Sequence, residues 1–133
     1  MARALERMGD HARSFANIIL NRETLLKPSV IADPRTHLDV WMASLRTIIR
    51  NTYSKDINAI ISAKLDLQEA ISSLEAFEEE LVTRGGKDGG SSVVHFRFSE
   101  KIRRFCAYTI DLSETLINMI MASKIKPVDE VKQ

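Results

Sequence analysis

The stretch LDVWMASLRTII, residues 38–49, has the clearest period in the chain. Leu38, Trp41, Met42, Leu45, Ile48 and Ile49 recur at spacings of three and four, which puts them on one face of an α-helix. Downstream the pattern weakens near Thr52, and Asp56 is placed to cap a third helix. That helix has Ile57, Ile60, Ile61, Leu67, Ile71, Leu74, Leu81 and Val82 on its apolar side, with the break expected at Ser54 to Asp56. Upstream, Asp33-Pro34 reads as a helix start, aspartate capping and proline taking the first turn. Before it, Leu5, Met8, Ala12, Phe15, Ile19 and Leu26 predict a first helix over residues 2–26, ended by Lys27-Pro28. A glycine-rich linker, residues 85–92, precedes the last helix. Val94, Phe96 and Phe98 alternate as a strand would, but a lone strand has no partner here, so helix is preferred. Phe98, Ile102, Phe105, Thr109, Leu112, Leu116 and Met119 carry the last helix to about Ser123, and Pro127 is expected to end it. The fold class is therefore all-α: a single domain, residues 1–133, built as an antiparallel bundle of three or four helices. The longest helix is expected within Ser54 to Arg84. Trp41, Leu45, Ile60, Leu74, Ile102, Phe105, Leu112 and Leu116 are expected to be buried.

Composition narrows the function classes. Nineteen basic and eighteen acidic residues leave a net charge of +1, which gives no electrostatic reason to expect nucleic acid. A single cysteine, Cys106, can form neither an internal disulfide nor a zinc site alone, and reads as a small buried residue. No apolar run approaches the roughly 20 residues of a membrane span, and charges crowd residues 1–10, unlike a secretory signal. A soluble, reduced, cytoplasmic protein is expected. Gly86-Lys87 invites comparison with a phosphate-binding loop, but Asp88 stands where Ser or Thr belongs and Leu81 where Gly belongs. Three histidines, none in an H-x-x-x-H or H-D pair, argue against a metal-dependent hydrolase, so no enzyme is expected. His37 and His95, near helix starts, read as exposed.

The first and last helices share a polar stripe. At an offset of 101 positions Arg3 falls on Arg104, Asp10 on Asp111, Asn17 on Asn118 and Ile19 on Ile120. Core packing does not require this stripe, so it points to an internal repeat. Glu6 and Asp10, four apart, project the same way, at a cost of a few tenths of a kcal/mol. Arg3 and Arg13 could offset that as an ion-pair ladder; alternatively a cation could, drawing oxygen ligands from both carboxylates.

The run Leu5-Glu6-Arg7-Met8-Gly9-Asp10-His11-Ala12, followed by Asn17-Ile18, resembles the signature of the PhoU family of phosphate-uptake regulators. That family has two three-helix repeats, each with the signature on its third helix. The resemblance makes residues 1–26 similar to the end of a first repeat and residues 34–124 similar to a second. The last helix is a degenerate copy: Asp111 and Asn118 match, while Ala107 and Ile110 stand where Glu and Gly are expected. The resemblance implies a divalent or iron-type metal ion held by Glu6, Asp10 and Asp111, with Glu114, one turn on, as a replacement ligand. His11 would flank that site. The four carboxylates are then expected on one bundle face.

The same resemblance implies a regulatory adaptor in phosphate uptake and phosphate-starvation signalling. Its expected partners are a second copy of the chain, a phosphate ABC transporter and a sensor kinase, with no membrane insertion. Its expected place is the cytoplasm, at most peripheral at the inner face of the membrane. The alternatives are a regulatory module of another transport system, of the potassium type, and a purely structural dimerisation bundle.

Overall fold

A computed structural model of the chain describes residues 2–22, 26–84 and 90–131, as four helices with no strand among them. These are α1 (Ala2–Arg22), α2 (Pro28–Ser54), α3 (Ile57–Arg84) and α4 (Gly90–Val131). No described helix is long and apolar enough to cross a membrane.

The turn between α2 and α3 forms where expected, by a specific set of bonds. Lys55 takes a left-handed conformation (φ 59°, ψ 32°), its N–H bonding the Thr52 carbonyl at 3.3 Å. The Asp56 N–H bonds the Asn51 carbonyl at 3.0 Å, completing a Schellman stop. Asp56 then caps the next helix, its Oδ1 accepting the Ala59 N–H at 3.1 Å. One residue thus ends α2 and begins α3, which reverses the chain.

The start of α2 differs from expectation. The helix begins at Pro28, not Pro34, and Pro34 lies inside it, fully buried. Asp33 caps nothing; its carboxylate lies 3.7 Å from His37 Nε2. Pro28 occupies the first turn, where the absent N–H costs nothing. Pro34 sacrifices one backbone bond, and burial of its ring opposes that loss. Lys27, extended before the helix, gives its N–H to His95 Nε2 on α4 at 3.0 Å. His95 is therefore buried, not exposed, and His37 keeps only 16% of its side chain accessible. α4, with 42 residues, is the longest helix, not α3 with 28. Its backbone passes Pro127 because a proline removes a single helical bond and does not always terminate the helix. Together α2, α3 and α4 span residues 28–131.

α2, α3 and α4 touch one another in an up-down-up bundle, and among the described residues the backbone of α1 runs close to that of α4 only. Lys64–Glu114 and Glu78–Arg103 contacts run α3 antiparallel to α4. Met8 near Thr109 and Phe15 near Phe98 do the same for α1. α4 is thus the central helix, which is why it carries two apolar stripes. The main core gathers Ile48, Ile60, Leu67, Cys106, Leu112, Leu116 and Ile120, with Met8 supplied by α1. A second cluster holds Leu74, Phe98 and Ile102, with Phe15 and Ile19 packed on it. Trp41 and Leu45 are half-buried, while the other six expected core residues are buried. Among the described residues Glu78 is the buried carboxylate; Arg103 Nε spans its two oxygens at 3.2 and 3.1 Å, and the Ser99 hydroxyl donates to it at 3.3 Å. Together these partners satisfy a charge that would be costly if buried alone.

Candidate functional site

Helical geometry divides the α1 signature into three groups. Met8 is buried against α4, and Phe15, seven residues on, packs between Phe98 and Phe105 with centroids 5.0 and 5.8 Å away. These residues fix which side of α1 faces the bundle. Glu6 and Asp10 each lie two residues from Met8, roughly half a turn round the helix, and both are exposed. Gly9 is exposed between them, and a Cβ built on it meets no atom within 4 Å. Arg7 and His11 occupy a flank, where they meet α4.

The four carboxylates do not meet. Glu6 and Asp10 point away from α4 because Met8 takes the contact position. Asp111 is exposed on α4, and Glu114 faces α3, where Lys64 Nζ holds it at 2.9 Å. Among the described residues no three His, Cys, Asp or Glu side chains come together to hold a metal ion. The shared face expected from the repeat is therefore not formed within one chain. The ladder is not formed either: among the described residues neither Glu6 nor Asp10 has a basic group within ion-pairing distance. Met8 and Thr109, which the 101-position offset aligns, are in contact, as one such pair is wherever two antiparallel helices cross. Antiparallel helices bring equivalent residues together only where they cross, and here the crossing falls at an apolar–hydroxyl pair, not at the acids.

The polar arrangement on the α1–α4 flank involves residues that spacing alone did not mark. The His11 ring stacks on Tyr108, with centroids 5.4 Å apart and planes at 24°. His11 Nε2 is 3.3 Å from Tyr108 Oη, and Nδ1 is 3.4 Å from Lys101 Nζ. Arg7 places its guanidinium carbon 6.0 Å from the Tyr108 ring centre. Burial, then the positive charges of Lys101 and Arg104, hold the His11 pKa below its ordinary 6.5, against weaker opposition from Asp10 and Glu100. Lys101, Arg104 and Tyr108 follow at spacings of three and four, a face visible in the sequence once α1 is known to lie there. Deeper in the same contact, the Thr109 hydroxyl accepts the Trp41 Nε1–H at 2.8 Å and donates to the Phe105 carbonyl at 2.8 Å.

No protein-family model, curated protein or solved structure matches the chain.

Proposed function

We propose that the protein is a PhoU-like regulatory adaptor that works by protein–protein contact at the outer face of α1. The observation that carries this reading is the display of Glu6 and Asp10. Two like charges at helical spacing repel, and among the described residues no basic group comes within ion-pairing distance of either. Residues that weaken the helix slightly and serve no contact within the fold are the residues expected to serve a contact outside it. Leu5 and Leu20, 49% and 75% exposed, stand on the same helix. They supply apolar surface to a partner, with a second copy of the chain as the first candidate. The phosphate transporter and its sensor kinase are the further partners of this reading. A metal belongs to it only between chains, since Glu6 and Asp10 would need oxygen ligands from elsewhere. Elemental analysis of protein purified without chelator tests that part.

Expression in a bacterium that lacks its phosphate-uptake regulator tests the whole. The protein is expected to restore repression of a phosphate-starvation reporter, and Glu6→Gln with Asp10→Asn is expected to abolish that while leaving helix content unchanged. A soluble, folded protein that leaves the reporter derepressed, or a double variant that represses as well as the parent, counts against the proposal.

A further inference from the structure

The flank between α1 and α4 gathers more positive charge than its surroundings balance. Arg7 reaches it from α1, and Lys101 and Arg104 from α4. Among the described residues neither Arg7 nor Lys101 has a carboxylate within ion-pairing distance, while Arg104 Nε meets Glu100 at 3.6 Å. Among the described residues these three cations thus have one carboxylate within ion-pairing distance, in a chain whose charges otherwise nearly cancel. Asp10 acts on His11 from the outer side of α1, less strongly than Lys101 or Arg104.

The hydrogen-bond inventory gives the cluster a direction. An ammonium group only donates, so Lys101 Nζ, 3.4 Å from His11 Nδ1, meets a lone pair there. A neutral imidazole with a bare Nδ1 carries its hydrogen on Nε2. That hydrogen points to Tyr108 Oη at 3.3 Å, which therefore accepts. The tyrosine's own hydrogen is left to donate elsewhere, and among the described residues no acceptor takes it. The free tyrosine hydrogen, the remaining Lys101 hydrogens and the Arg7 guanidinium beside the ring form a set of donors with no acceptor among the described residues. Such a set suits an oxyanion, and its charge balance suits a dianion better than a single carboxylate.

We propose that this flank binds a small tetrahedral oxyanion of the sulfate or phosphate type, with Arg7, Lys101 and Arg104 as counter-charges and the Tyr108 hydroxyl as the directional donor. The site does not depend on the adaptor reading, which concerns the outer face of α1 and not this flank. The ion comes either free or as the phosphoryl group of a small molecule.

Calorimetric titration of the full chain with sulfate, inorganic phosphate and glycerol phosphate, each against chloride at equal ionic strength, tests the site. Saturable binding of the inorganic ions is expected. Tighter binding of glycerol phosphate also supports the site and assigns its source to phosphorylated molecules. Tyr108→Phe keeps the stacked ring and removes only the hydroxyl, and it is expected to weaken binding about tenfold. Arg7→Gln, on an exposed side chain, is expected to do likewise, and Arg13→Gln, on the outer face, to change nothing. Nitrogen-15 spectra are expected to show His11 as the Nε2–H tautomer. A response no different from chloride, wild-type affinity in both Tyr108→Phe and Arg7→Gln, or an Nδ1–H tautomer at His11 each overturns the proposal.

Discussion

Replacing Gly9 with alanine is expected to strengthen the attachment of α1. Gly9 is an exposed interior position of a 21-residue helix, and a Cβ there meets nothing within 4 Å. Glycine in a helix interior is less favourable than alanine by about 0.8 to 1 kcal/mol, mostly through backbone entropy. No steric term opposes that gain, so the full amount should appear. Where it appears depends on how α1 comes away. Because the described backbone of α1 runs close to that of α4 only, its detachment is expected to precede unfolding of the three-helix bundle. Hydrogen exchange should then slow about fivefold for α1 amides and stay unchanged for α3 amides. If α1 instead melts with the rest, the gain reappears as a Tm rise of about 3 to 5 °C. A destabilised variant, or one with no gain in either measurement, would refute the open surroundings assigned to Gly9. A loss that grows with protein concentration would put Gly9 at a contact between two chains. Lost partner binding in a stabilised variant would show that the glycine serves close approach by another protein.

Thr109→Val keeps the volume and leaves the half-buried Trp41 N–H without its acceptor. It is expected to cost about 1 to 3 kcal/mol, read as a lower urea midpoint with unchanged slope, and an unaltered midpoint would remove that bond from the list of stabilising contacts. His11 titrates lower in the folded chain than its ordinary 6.5, so the unfolded chain binds the extra proton first. Its contribution is therefore complete above pH 6.5 and is lost as pH falls toward the folded value, so the urea midpoint of the parent should drop more steeply over that window than that of His11→Gln. Equal slopes would contradict the environment assigned to His11. Cys106 is fully buried and its thiol is pushed up to about 12, so a thiol reagent at mildly alkaline pH should label it only after denaturant is added. Rapid labelling of the native protein would contradict that placement.

What could be read from the sequence was local. The period of residues 38–49 and the Asp56 cap each depend on neighbours a few positions away; the helix and the cap appear in the structure as read, while Met42 and Ile49 of the expected apolar face are exposed. The two prolines misled for a related reason. A dipeptide such as Asp33-Pro34 announces a helix start, but whether it is one depends on how much burial the proline gains, and that is decided by other helices. His95 looked like an exposed residue near a helix start; its partner is the backbone of Lys27, 68 positions away. The carboxylates show the limit most clearly. Spacing places Glu6 beside Asp10 and Asp111 near Glu114, each pair on its own helix. It does not reveal how α1 is rotated against α4, and that rotation is set by Met8 and Phe15 finding their places. The His11–Tyr108–Lys101 group was hidden for the same reason, since its contacts span 97 and 90 positions.

The separation of Met8 from Thr109 by 101 positions also governs the order in which the molecule is assembled. α2, α3 and α4 meet across connections short enough to close early. α1 is synthesised before all of them, yet the helix it packs on is made last. At ribosomal speeds of about 5 to 20 residues per second, its apolar side waits on the order of 5 to 20 seconds for a surface to cover it. During that interval Met8, Phe15 and Ile19 have no native contact, and a chaperone or a neighbouring nascent chain can occupy them. The contact of α1 with α4 closes the longest loop in the fold, one that contains α2, α3 and the first half of α4, so it should be the slowest to form during refolding from denaturant.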